Sequence, residues 1–100
     1  MIGLIVTHRA QAGQRAALIE AWERHMPAAV ASNPGHVAYS YGLGDDPDAI
    51  IAVQIYRSSA AADAFLRTDA YLDYLDASRH LLAHEPELTR FTPHWIKGIA

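Results

Sequence analysis

A chain of 100 residues, 51% hydrophobic and 19% charged, has room for one globular domain over residues 1–100 and the composition of a packed core, not of a disordered segment. The formal charge of -3, with eight Lys and Arg scattered singly, leaves no electrostatic footprint for nucleic acid, and the lack of cysteine excludes disulfides, thiolate metal ligands and cysteine nucleophiles. No apolar run approaches the roughly 18 residues of a membrane span, and Met1 leads into Ile2 without a basic leader. A cytoplasmic protein with no membrane partner is expected.

Ile2 to Arg9 is apolar on both parities and reads as a strand buried on both faces. From residue 13 to 32, Leu18, Ile19, Trp22, Met26, Ala29 and Val30 recur at spacings of three and four opposite Glu20, Glu23 and Arg24, the pattern of an amphipathic helix. Pro27 removes a backbone donor inside it, so a kink or break is expected near Glu23 to Met26. Asn33-Pro34-Gly35 stops the helix.

His36 to Leu43 alternates as a second strand, with Val37, Tyr39, Tyr41 and Leu43 on one face and His36, Ala38, Ser40 and Gly42 on the other. On that register His36 starts its strand at the surface. Gly44 to Asp48 is dense in turn formers and leads into Ala49 to Tyr56, an apolar run interrupted only by Gln54, completing an antiparallel hairpin. Ser58 or Ser59 can cap a helix over Ala60 to Leu66, and Thr68-Asp69 can cap a longer one reaching Ala83 or His84. Thr89 to Ile99 reads as a last strand, with Pro93 demanding an edge position or a bulge.

The order strand, helix, strand, strand, helix, strand is that of an α+β, ferredoxin-like βαββαβ sandwich: a four-stranded antiparallel sheet with its helices on one side. Helices can cover only one face of that sheet, yet the strands are apolar on both parities. A second copy laying its sheet against this one, as a homodimer, would cover the other.

With Pro34-Gly35 before the second strand, the hairpin, and then IYRSSAAADAFLRTDAYLDYL, nearly the whole chain resembles the antibiotic biosynthesis monooxygenase domain family. The resemblance implies a dimeric α+β barrel and, among the activities of that family, cofactor-independent oxygenation of a quinol or polyketide-type aromatic. The family's third strand usually ends in an acidic residue, a spacer, Trp, a charged residue and Ser; here Gln54, Ile55, Tyr56, Arg57 and Ser58 stand at those places. Phe65 takes the place of a His often found in the following helix. The haem-degrading branch has Asn, Trp and His where this chain has Val6, Phe65 and Leu75, so it retains no iron ligand there.

Oxygenation without a cofactor needs an apolar pocket, a base to deprotonate the substrate, and exclusion of water. Histidine is the natural base near neutral pH. His25, three residues after Trp22 at the margin of the first helix's inward face, is the first candidate for that catalytic role, and a boundary His that packs and bonds a carbonyl is the plain alternative. Trp22, Tyr39, Tyr71, Phe65 and His94 are candidate walls of a substrate-binding pocket for a small aromatic ligand, with ordinary core or interface packing as the plainer explanation of any single tyrosine. His80 and His84 have i, i+4 spacing but lie on a polar stripe with Asp69, Asp73 and Asp76, so no metal site is expected. No phosphate loop or dinucleotide fingerprint is present, and no cofactor is expected. The same pocket could serve an isomerase or cyclase, or a protein that binds without catalysis.

Overall fold

The structure, a computed structural model, describes residues 1–98. β1 (Ile2–Arg9), β2 (His36–Leu43), β3 (Ala49–Tyr56) and β4 (Glu87–Phe91) form one antiparallel sheet in the order β2-β3-β1-β4. Helices α1 (Arg15–His25), α2 (Pro27–Ala31), α3 (Ser59–Phe65) and α4 (Asp69–Ser78) intervene, and a short 3-10 turn over Arg79–Leu81 follows α4. This is the expected α+β ferredoxin-like arrangement, and β1, β2 and β3 occupy the expected spans.

All four helices pack on one sheet face. Leu4, Val6, Ala52 and Tyr56 from the sheet meet Ala21 and Met26, Ala62 and Phe65, and Tyr74 in a single buried cluster. The alternation of a strand explains the division: Leu4, Val6 and His8 point to the helices, while Gly3, Ile5 and Thr7 point away. On that outer face Ile51 and Val53 are at least partly exposed, and the Phe91 ring lies across Gly3, where a Cβ would collide with it.

Pro27 does break the first helix. α1 ends at His25 and α2 restarts with Pro27 at its first position, where the missing N–H costs nothing. Ser58 Oγ accepts from the Ala61 N–H at 3.1 Å and Thr68 Oγ1 from the Tyr71 N–H at 3.3 Å, so each predicted cap is made.

Two boundaries differ from expectation, both through pairing with β1. The helix predicted to reach Ala83 or His84 ends at Ser78, because the chain beyond it joins the end of β1. Gln11 N–H donates to the Leu81 carbonyl and Ala83 N–H to the Arg9 carbonyl, each at 2.8 Å. His80 and His84 therefore do not share a helical face. The last strand is Glu87–Phe91, not Thr89 to Ile99: Phe91 already pairs with Gly3, β1 begins at Ile2, and Pro93 brings no donor. Ile99 lies outside the described residues.

Candidate functional site

A β-bulge decides which side chains line the space between helices and sheet. His36 pairs with Tyr56 and Ala38 with Ile55, so β2 spends one extra residue between them. The bulge reverses the parity expected for the start of β2: His36 turns to the helix face with Tyr39 and Tyr41, and is half-buried rather than at the surface. Its ring lies 4.3 Å from that of Tyr56, 4.6 Å edge-on from Phe65 and 5.5 Å from Tyr39.

Both nitrogens of His36 are engaged, and the partners fix its tautomer. The Asn33 side-chain Oδ1 accepts from the Gly35 N–H at 3.2 Å, which leaves the Asn33 Nδ2 to donate to His36 Nδ1 at 2.9 Å. Nε2 then carries the proton and donates to Gln54 Oε1 at 3.4 Å. Gln54, only 4% exposed, also accepts from the hydroxyl of the wholly buried Tyr56. Arg57 ties this corner down: its N–H donates to the Gly35 carbonyl at 2.9 Å and its Nε–H to the Pro34 carbonyl at 2.7 Å. Burial holds the His36 pKa below the ordinary imidazole value, with the Gln54 hydrogen bond acting the other way.

From His36 the rings continue without a gap. Trp22 stacks on Tyr41 at 4.0 Å and donates from Nε1 to the Tyr39 hydroxyl at 3.2 Å. Phe65 lies 6.1 Å from Tyr71, Tyr71 6.5 Å from Tyr74, and Tyr74 6.4 Å edge-on from His8. Burial raises the pKa of Tyr39, Tyr41, Tyr56, Tyr71 and Tyr74, so each phenol stays protonated well above neutral pH. Beside Phe65 a cleft of about 260 Å³ opens to solvent, lined also by Asn33, Ala29 and Thr68. The Phe65 ring and the Asn33 amide both line this cleft and both touch the imidazole.

The structure brings together four of the five expected wall residues, Trp22, Tyr39, Tyr71 and Phe65. It leaves out two predicted site residues. His94 was placed mid-strand by sequence, but it follows the shortened β4 and lines a separate surface groove with Met1, Pro93 and Trp95. His25 is half-buried on the last turn of α1, and no described ring or hydrogen-bond contact joins it to the cluster. Sequence reasoning missed His36, hidden by the bulge, and the central place of Gln54. The one visible signal was Gln54 itself, the single polar residue in an otherwise apolar buried strand. Among the described residues no three His, Asp or Glu are placed to hold a metal ion.

A ferredoxin-like α+β domain with an aromatic-lined site between its helices and its sheet is the class defined by this geometry. The chain belongs to the antibiotic biosynthesis monooxygenase family, whose model matches residues 1–77. It is similar to a structure from Chloroflexus aurantiacus J-10-fl assigned to that family, at 31% identity, covering 99% of this chain and 98% of that one with a TM-score of 0.81. A structure from Nitrosomonas europaea with the same assignment shares the fold at 20% identity, covering 95% and 100% of the two chains with a TM-score of 0.87. A third, from Mycobacterium tuberculosis, shares it at 20% identity, covering 97% and 98% with a TM-score of 0.86. No curated protein matches the chain.

Proposed function

We propose that this protein is a cofactor-independent monooxygenase acting on a flat, oxygen-bearing aromatic such as a quinol or polyketide intermediate. The observation that carries the reading is the neutral His36 set among aromatic rings, with its Nδ1 lone pair directed at the Asn33 amide on the cleft wall. A phenolic ligand that displaces this amide meets a base held unprotonated at neutral pH by burial.

In this reading the substrate phenol gives its proton to His36 Nδ1, and the imidazolium that results keeps its Nε2–H on Gln54 Oε1. The ring anion passes one electron to dioxygen, and the radical pair joins as a peroxide on the ring carbon. The imidazolium returns its proton to the peroxide, and collapse of that hydroperoxide turns the ring C–H carbon into a carbonyl, its hydrogen and the second oxygen atom leaving as water. Phe65, Tyr39, Tyr71 and Trp22 supply the apolar walls that hold the anion and keep bulk water away. His36 takes over the role that sequence reasoning gave to His25.

The protein works as a homodimer in this proposal. The outer sheet face, with Ile5, Ile51, Val53 and Phe91, carries no helix among the described residues, and a second sheet is the surface that fits it.

Oxygen uptake with a panel of quinols and anthrones tests the chemistry. Substrate-dependent uptake that is lost in His36→Phe is expected; no uptake across the panel refutes the oxygenase. The isomerase or cyclase alternative predicts product without oxygen. The non-enzymatic alternative draws on a specific observation: Tyr56 and Tyr74, 0% and 2% exposed, occupy the interior that a substrate would need. Binding of an aromatic without turnover, in air or under argon, is its signature.

A further inference from the structure

Three polar atoms deep in the site have no hydrogen-bond partner: His8 Nδ1, the Tyr41 hydroxyl and the Tyr74 hydroxyl. Buried polar groups are satisfied as a rule, so three orphans in one region ask for a missing partner. His8 and Tyr41 stand on the same sheet face, on β1 and β2, one pair apart along β3: His8 is opposite Ile50 and Tyr41 opposite Ala52. Tyr74 descends from α4 with its ring edge-on to His8 at 6.4 Å. A charge on its phenol would raise the pKa of the Tyr41 phenol, which burial already pushes up. The Ser78 hydroxyl, near enough to act against the burial that raises the Tyr74 pKa, has its own proton on the Leu75 carbonyl at 3.4 Å. His8 is 7% exposed and Tyr74 is 2% exposed, so bulk water is not the partner.

We infer that His8, Tyr41 and Tyr74 form a subsite at the buried end of the aromatic site that takes a neutral oxygen, a carbonyl or hydroxyl, carried by the ligand's ring. Two phenol O–H groups donate to such an oxygen, and a ligand hydroxyl can in turn donate to His8 Nδ1. The oxygen is neutral because nothing there can balance a charge. His8 stays uncharged at neutral pH, its pKa lowered by burial to about 4. Among the described residues every Lys and Arg but Arg15 is exposed, and Arg15 is spent on the carbonyls of Gly44, Asp46 and Ala49. A ring carboxylate would enter this end unpaired, at a large desolvation cost. This deepens the proposed function, since it uses the same site and names the substrate class: aromatics with a neutral oxygen at the leading edge, and no acid there.

Calorimetric binding of 1-naphthol, naphthalene and 1-naphthoate, under argon, tests the subsite apart from any turnover. The wild type should bind 1-naphthol, and both Tyr74→Phe and Tyr41→Phe should weaken it about tenfold, the worth of one good hydrogen bond, with naphthalene unchanged. Naphthoate should bind at least about tenfold more weakly than naphthol. Each variant keeps its ring, and a thermal midpoint at or above the wild type's certifies folding; if one fails to fold, the other decides. Naphthol binding that neither variant weakens, naphthoate binding as tight as naphthol's, or no binding of any of the three overturns the subsite. Tyrosine-dependent naphthol binding in a protein that consumes no oxygen refutes the oxygenase and leaves the subsite standing.

Discussion

Acid should unfold this protein earlier than its carboxylates alone would require, because of His8. The ring lies on the helix face of β1, 7% exposed and edge-on to Tyr74, and burial lowers its pKa from 6.5 to about 4. A histidine whose pKa is lower folded than unfolded contributes stability that is complete above the unfolded value and fades as pH falls towards the folded one. Here the window runs from 6.5 down to about 4. Between roughly pH 7.5 and 4.5 the unfolded chain takes up this proton and the folded chain largely refuses it, a loss of about 2.5 kcal/mol from His8 alone at 1.36 kcal/mol per pKa unit. With a urea slope of about 1 to 2 kcal/mol per molar, the denaturation midpoint should fall by roughly 1.2 to 2.5 M. The measurement is a set of urea titrations across that range for the wild type and for His8→Leu. His36, shifted in the same direction by its own burial, contributes equally to both proteins and drops out of the difference. The variant should lose about 2.5 kcal/mol less than the wild type over the same interval. Parallel pH profiles would show that His8 is not held neutral by the fold, and would remove the electrostatic argument for a neutral-oxygen subsite with it.

Gly3→Ala should destabilise the protein by about 1 to 3 kcal/mol in chemical denaturation, because the new methyl enters the space of the Phe91 ring across the strand pair. Ser58→Ala and Thr68→Ala should each cost about 1 kcal/mol through loss of an N-cap, read as a lower thermal midpoint. Gln54→Leu should cost more, about 2 to 3 kcal/mol, since it strands the Tyr56 hydroxyl and unpins His36, and the imidazole resonances should shift in NMR titration. Static light scattering at micromolar concentration should return twice the chain mass; a stable monomer would contradict the outer sheet face as a dimer surface.

The spans of β1, β2 and β3, the break at Pro27 and the caps at Ser58 and Thr68 were legible because local signals carry them: hydrophobic period, a missing donor, a hydroxyl at the right offset. The ends of α4 and β4 were not, because their limits are set by where β1 begins and ends, near the opposite end of the chain. Trp22, Tyr39, Phe65 and Tyr71 were legible as inward-facing aromatics. The polar chain through Asn33, His36, Gln54 and Tyr56 was hidden for a different reason. Strict alternation assigns His36 to the outer face, and only the pairing of β2 with β3 reveals the extra residue.

That extra residue makes the imidazole's orientation a matter of counting. Removing Val37 would leave His36 opposite Tyr56 on the helix face, whereas flattening the bulge with Val37 kept would put Val37 opposite Tyr56 and carry His36 to the outer face, while Tyr39 and Tyr41 keep their partners on β3. Loss of the bulge alone, with no residue removed, would therefore separate the architecture of this domain from its proposed chemistry, leaving the same sheet and the same aromatic walls with no imidazole among them. Among relatives of equal fold, whether the residue opposite the last position of β3 is a histidine would mark which copies carry the imidazole among the rings and which carry the rings alone.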